Sequence, residues 1–168
     1  MRFAAPASAL ALVLAMTASV GQSADHVIDP RASALVAQGR AAMAARKPDL
    51  AVDAFESALA IDPAATSIFL DLAGAARLNG LQGKAIRYYR LALDREPDNL
   101  AALSGEGAAL VEKGALEKAR RNLAKLQSMC GDKCPETRTL AAAIAQGPQP
   151  RVLTAEAVMP DAVVTQQN

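Results

Sequence analysis

The sequence lacks tryptophan altogether, its aromatic residues amount to only 3%, and His26 is its single histidine. One histidine argues against a histidine-based metal centre or catalytic triad, and we expect no metal and no cofactor. The scarcity of aromatic rings also removes the stacking platform on which single-stranded nucleic acids bind. Hydrophobic residues nevertheless make up 52% of the chain, and much of that share is alanine, the strongest helix former. This composition favours closely packed helices over a β-sandwich.

An excess of charge of either sign is also missing. The chain has 18 basic and 17 acidic residues, and removal of residues 1–24 takes away Arg2, which leaves 17 of each. A neutral chain offers no cationic track for a phosphate backbone, so we expect no nucleic-acid partner. The short basic stretch at 117–126 is interpreted as the solvated face of a helix. No catalytic constellation is recognisable, and the sequence therefore predicts a protein that is not an enzyme.

Residues 1–24 have the order of a secretory signal peptide: Arg2, an apolar run from about Ala9 to Val20, and then small residues. Cleavage after Gly21 and cleavage after Ala24 both fit. The alternative is an uncleaved anchor, but a membrane-spanning helix needs about 20 apolar residues, and this run is shorter. We therefore expect a periplasmic or secreted bacterial protein, with no stable membrane insertion after cleavage.

A self-comparison of the sequence shows a repeat of 34 residues without insertions, which indicates a stacked-repeat architecture. Small residues recur at some positions of the repeat, large apolar residues at others, and proline near its end. The recurring sets are Gly39, Ala73 and Gly107; Ala51, Ala85 and Ala119; Phe55, Tyr89 and Leu123; Ala58, Ala92 and Leu126; and Pro63 with Pro97.

Each unit has the pattern of two helices. In the second unit, apolar residues at 69, 72, 73 and 76 have the spacing of one helical face, and so do those at 85, 86, 89, 92 and 93. Gly80 tolerates the positive φ that ends a helix, and Pro97 cannot continue one. Small residues such as Ala73 and Ala85 allow antiparallel helices to approach to about 8–10 Å.

These positions resemble the tetratricopeptide repeat. Three units cover residues 32–65, 66–99 and 100–133, and the third departs most because Gly131 replaces the proline. Residues 135–146 are predicted to form a seventh helix that caps the stack, which gives a domain at 25–146 followed by a disordered tail at 147–168. The resemblance implies an all-α superhelical solenoid of three helix pairs with a concave groove.

The resemblance also implies which residues line that groove, since the first helix of each unit faces it. The candidates among them are Arg40, Met43, Ser67, Leu70, Arg77, Ser104 and Val111. Arg40 and Arg77 could hold a carboxylate of a bound peptide, or they could be ordinary solvated charges. The Lys/Asn set with which some members of the family clamp a peptide C-terminus is absent. Apolar residues of the tail could dock in this groove or in that of a partner.

Cys130 and Cys134 lie four residues apart, between the third unit and the seventh helix. In an exported protein a disulfide is the default for such a pair, and a helical turn brings the two Cα atoms within its range. The alternatives are two free thiols or a thiol-redox pair, although the redox motif has two intervening residues rather than three. A zinc site would need four ligands, and His26 is remote in sequence.

The function predicted from these features is a noncatalytic scaffold that binds a protein or peptide partner in the cell envelope. By analogy with the family, its setting would be the assembly or secretion of envelope structures. The rival hypotheses are a thiol-redox helper acting through Cys130 and Cys134, and a purely structural oligomerisation module.

Overall fold

The computed structural model of the protein describes residues 26–148. The signal peptide predicted at 1–24 lies outside these residues, as does all of the predicted tail after Pro148. The described part of the chain contains seven helices and no strand. The helices are α1 (Pro30–Ala44), α2 (Pro48–Ile61), α3 (Thr66–Leu78), α4 (Gln82–Arg95), α5 (Leu100–Glu112), α6 (Leu116–Cys130) and α7 (Pro135–Gln146). The prediction of an all-α fold with three helix pairs and a seventh helix is confirmed.

Short turns join the two helices of each pair. Gly80 and Gly114 occupy these turns with φ values of 71° and 82°, the left-handed region that glycine enters without a steric cost. The first turn has Arg46 at the equivalent position, with φ 54°. Between the second and third pairs, α4 ends at Arg95 and Pro97 follows, so the chain leaves the helix where proline forbids its continuation.

The helices form two layers. Among the described helices, α1 contacts α3 and α3 contacts α5, whereas α2, α4 and α6 do not contact one another. The odd-numbered helices therefore make a continuous inner layer, and the even-numbered helices lie outside it. The first helix of every pair therefore belongs to the inner layer, which carries the predicted groove residues.

Large side chains fill the space beside glycines where helices cross. A Cβ atom at any of three glycines would collide with the side chain of a residue on another helix. The pairs are Gly39 with Phe55, Gly105 with Tyr89, and Gly107 with Leu140. Phe55 and Leu140 are fully buried and Tyr89 nearly so, which makes these contacts part of the core. The glycines act here as packing notches rather than as hinges.

The helix α7 covers the last pair. It packs on both α5 and α6, and Leu140 joins Leu103 and Leu126 in one buried cluster. Thr137 at the start of α7 is also buried. The apolar face of the third unit is therefore protected from water at this end of the stack, as a solenoid requires.

Candidate functional site

The inner layer carries a cleft of about 310 Å³, lined by residues from α1, α3 and α5. Its lining residues are Met43, Gly74, Arg77, Leu78 and Glu112; we call it the inner cleft. Gly74 leaves its floor open, because a Cβ atom built there would meet only the Met43 Cε atom, at 3.7 Å. Leu78 is 40% exposed at the rim. The inner cleft is thus a small apolar recess with charged groups on one wall.

Those charged groups already bind each other. The Arg77 guanidinium donates hydrogen bonds to the Glu112 carboxylate through Nε, at 3.2 and 3.3 Å, and through Nη2. The side chains are 32% and 30% exposed. Partial burial opposes the charge of Arg77, but the hydrogen bond and the negative charge of Glu112 outweigh it and raise the pKa of Arg77. The guanidinium is therefore occupied by a carboxylate of the protein itself.

Arg40 is occupied in the same way. Its Nε and Nη2 atoms donate to the two carboxylate oxygens of Asp71 on α3, at 3.1 and 2.9 Å. The hydrogen bond from this forked geometry raises the pKa of Arg40. Because both predicted groove arginines have intramolecular partners, neither is an open site for the carboxylate of a bound peptide.

A second depression, of about 180 Å³, contains the predicted residues Ser67 and Leu70, together with His26, Ile28, Glu96 and Asn99. The segment before α1 reaches it from one side. His26 Nε2 lies 2.8 Å from both carboxylate oxygens of Asp62, and the backbone N–H of Asp29 donates to the same carboxylate at 2.9 Å. The N-terminal segment is thus fastened beside the start of α3. No pattern in the sequence indicates this contact.

The other two predicted groove residues lie where α7 packs. Ser104 is 7% exposed, and its hydroxyl donates to the backbone carbonyl of Glu136 at 3.1 Å. Val111 is 3% exposed, in a cluster against which Ile144 packs. The structure therefore places Ser104 and Val111 inside the domain, and it leaves Met43, Ser67 and Leu70 on the partly open inner surface.

Another cleft, of about 450 Å³, lies at the opposite end of the stack. It is formed between α1 and α2, and its lining mixes four alanines with polar and charged side chains and with Leu35 and Leu50. Leu50 is 56% exposed. Within residues 26–148 this end has no covering helix comparable to α7.

The structure brings Cys130, the last residue of α6, next to Cys134, which precedes α7. Their Cα atoms are 5.7 Å apart and their sulfur atoms are paired. Thr137 and Glu136 lie against the two sulfur atoms, at 3.5 and 2.9 Å. The geometry thus permits the predicted disulfide at the junction between the third unit and α7.

No group of three or more histidine, cysteine, aspartate or glutamate side chains within 26–148 is arranged to hold a metal ion. None of the helices α1 to α7 has the length and apolar character needed to cross a membrane.

Comparison with solved structures shows which fold these helices form. The first tetratricopeptide-repeat domain of Spaghetti (RPAP3), bound to the HSP90 peptide SRMEEVD, is 22% identical, with a TM-score of 0.63, over 71% of this chain and 94% of that domain. The Sgt2 domain of Aspergillus fumigatus is 24% identical, with a TM-score of 0.62, over 82% of this chain and 93% of that one. The Yersinia enterocolitica type III secretion chaperone SycD, in complex with a peptide of the translocator YopD, is 19% identical. The match has a TM-score of 0.61 and covers 70% of this chain and 89% of SycD.

These likenesses show that the chain has the fold of tetratricopeptide-repeat domains, in agreement with the resemblance in the sequence. No protein-family profile matches the chain. No curated protein matches it either.

Proposed function

We propose that this protein is a noncatalytic scaffold that binds a peptide segment of another protein on its inner layer. The observation that carries the proposal is the inner cleft, an apolar recess that Gly74 keeps open between Met43 and Leu78. The neighbours of the same fold support it, since RPAP3 and SycD were each solved with a peptide.

The charges around the cleft indicate which peptides it would accept. Arg40 and Arg77 are neutralised by Asp71 and Glu112. A ligand carboxylate would have to displace a protein carboxylate that already makes hydrogen bonds to both the Nε and Nη2 atoms. The groove should therefore favour a segment with aliphatic side chains over one that ends in acidic residues, such as the peptide SRMEEVD.

The experiment presents the protein, expressed from its full coding sequence, to a random peptide library displayed on phage. We expect the enriched peptides to share apolar residues rather than an acidic C-terminus. Enrichment of acidic C-termini, or of no peptides at all, would count against the proposal.

Three glycine variants locate the binding site. Gly74→Phe should fill the inner cleft and reduce the affinity for an enriched peptide at least tenfold. Gly74→Ala adds one carbon where there is room, and Gly83→Phe adds a ring at an exposed glycine with no atom within 4 Å of its Cβ position. Both control variants should bind like the parent protein. Equal loss in Gly74→Phe and Gly83→Phe would place the site elsewhere.

We further propose that the protein acts in the bacterial cell envelope, in the periplasm or after secretion. The support for this location is the order of charge, apolar run and small residues within 1–24. Mass spectrometry of the protein from the periplasmic fraction should find a chain that begins at Gln22 or Asp25. An intact Met1 in the cytoplasmic fraction would overturn this location.

A further inference from the structure

The direction of α7 determines where the chain leaves the domain. Along α7, Glu136 meets Ser104, Leu140 meets Gly107, and Ile144 packs against the cluster that contains Leu110 and Val111. The contact positions rise together along both helices, so α7 runs parallel to α5. The end of α7 at Gln146 therefore lies beside the end of α5, where Glu112 lines the inner cleft.

Twenty residues, 149–168, follow Pro148. Their apolar composition is chemically suited to the inner cleft. Three apolar pairs occur in them, separated by polar and small residues: Val152-Leu153, Val158-Met159 and Val163-Val164. The segment has one basic residue, Arg151, and two acidic ones, Glu156 and Asp161. Aliphatic pairs with little net charge are the chemistry that a recess of Met43, Gly74 and Leu78 would take up, since the neighbouring arginines are already paired.

The segment is also long enough to extend from the end of α7 to the inner cleft. Leu153 lies seven positions after Gln146, the last residue of α7, and an extended chain covers roughly 3.3 Å per residue, or about 23 Å in total. Neighbouring helices lie about 8–10 Å apart, so this length crosses from α7 over α5 to α3, which carries Gly74 and Leu78. The second apolar pair lies six residues further on and reaches α1, which carries Met43.

We propose that residues 149–168 dock in the groove of their own molecule, with Val152 and Leu153 in the inner cleft, and that a partner peptide must displace them. This inference rests on the proposed peptide-binding function. A tethered segment of this length acts at an effective concentration on the order of millimolar. Even weak docking therefore reduces the affinity of the groove for an external peptide.

Photocrosslinking tests the docking without an external ligand. The photoreactive residue p-benzoylphenylalanine replaces Leu153 in the full chain, and proteolysis with mass spectrometry locates the crosslinked residues. We expect crosslinks to Met43 or Leu78, which Gly74→Phe removes and Gly83→Phe preserves. The same photoreactive group at Gln167, which lies beyond the three apolar pairs and outside the inner cleft in this arrangement, is the position control and should give no crosslink to Met43 or Leu78.

An equal mixture of ¹⁴N- and ¹⁵N-labelled protein distinguishes the source of the segment. Docking within one molecule gives crosslinked pairs of a single isotope. Mixed pairs would show docking in a second copy and would overturn the proposal, as would crosslinks outside the inner layer or quenching by solvent alone.

Competition gives an independent readout. The double variant Leu153→Ser with Met159→Ser should bind a library-selected peptide about tenfold more tightly than the parent, because the docked segment no longer competes. An unchanged affinity would contradict the proposal. If the crosslinks are absent while Gly74→Phe still blocks peptide binding, the docking fails and the scaffold function stands. If the crosslinks appear and the library gives no peptide, the scaffold function fails instead.

Discussion

Arg77 on α3 and Glu112 on α5 are bound to each other on the wall of the inner cleft, through hydrogen bonds from both Nε and Nη2 of the guanidinium. The two residues belong to adjacent helix pairs. Their ion pair therefore links consecutive repeats, and it also removes the most prominent positive charge from the cleft.

Glu112→Gln should convert the cleft into a carboxylate site. It leaves Arg77 charged and without its anionic partner, so the C-terminal carboxylate of a peptide can take that place with a charge-assisted bond of about 1.5–3 kcal/mol. We expect the peptide SRMEEVD to bind this variant at least tenfold more tightly than the parent, as measured by isothermal titration.

The double variant Arg77→Gln with Glu112→Gln is the control, because it has neither charge and should bind like the parent. In urea unfolding, Glu112→Gln should also cost roughly 1 kcal/mol, since partial solvent exposure reduces the contribution of the ion pair. An unchanged affinity for SRMEEVD would mean that another group holds Arg77.

Gly39 and Gly74 should respond to alanine with opposite signs. Both are glycines within helices, where alanine ordinarily stabilises by about 0.5–1 kcal/mol through backbone entropy. The Cβ atom at Gly39 would fall on the ring of Phe55, whereas that at Gly74 meets only Met43 at a normal distance. We expect Gly39→Ala to destabilise by about 1–3 kcal/mol, as overpacking does, and Gly74→Ala to stabilise.

Urea denaturation of the two variants measures the difference. Addition of Phe55→Leu to Gly39→Ala should recover part of the loss, because the smaller side chain makes room for the new methyl group. Equal stabilisation by both alanines would show that Phe55 does not occupy the space beside Gly39.

The helices could be predicted from the sequence because their signals are local. Small residues recur at Gly39, Ala73 and Gly107, where helices pack closely, and prolines follow α2 and α4, where helices end. A fixed period of 34 then repeats these local signals without any knowledge of distant contacts. The helix α7 could be predicted in the same way, since Leu140 and Ile144 form an apolar stripe within a single short helix.

The state of the groove could not be predicted in the same way. Arg40 and Asp71 are 31 residues apart, and Arg77 and Glu112 are 35 apart, so each pair joins different repeats. These ion pairs depend on how helices of neighbouring repeats align in the stack. The sequence of a single repeat does not contain that information. The sequence did contain one usable signal. An acidic residue about 34 positions after a groove arginine lies on the adjacent inner helix, where it can pair with that arginine.

Asp62 should make the free energy of unfolding of the domain depend on pH in the acidic range. The backbone hydrogen bond from Asp29, followed by that from His26, holds the pKa of the Asp62 carboxyl below its usual value. Its contribution is complete above the unfolded-state pKa of about 3.9 and is lost as the pH falls through the lower folded-state pKa. We expect Asp62→Asn to destabilise at pH 7 and to have a smaller effect near pH 3.

Urea unfolding at the two pH values measures this change, and Asp98→Asn, at an exposed position, is the control. A difference between Asp62→Asn and the parent that is the same at both pH values would assign the effect to packing rather than to the carboxylate charge. Loss of the contact should also release the segment that carries Ile28, which hydrogen exchange at the start of α1 would detect.

Oxidation of Cys130 and Cys134 should fasten α7 to the third unit. The closed loop is short, so the chain-entropy model gives a contribution of about 2 kcal/mol. We expect the double variant Cys130→Ser with Cys134→Ser to lose about this amount in urea under oxidising conditions, and the amides of α7 to exchange faster with deuterium. Under reducing conditions the variant and the parent should agree within about 0.5 kcal/mol, which separates the covalent bond from any packing change caused by serine.

Alkylation of the denatured, unreduced protein provides the direct check. If the pair is oxidised in the native host, neither cysteine is labelled, and both become labelled after reduction. Labelling of both cysteines before reduction would show free thiols. The attachment of α7 would then rest on non-covalent contacts such as Leu140 beside Gly107 and the Ser104 hydrogen bond to Glu136.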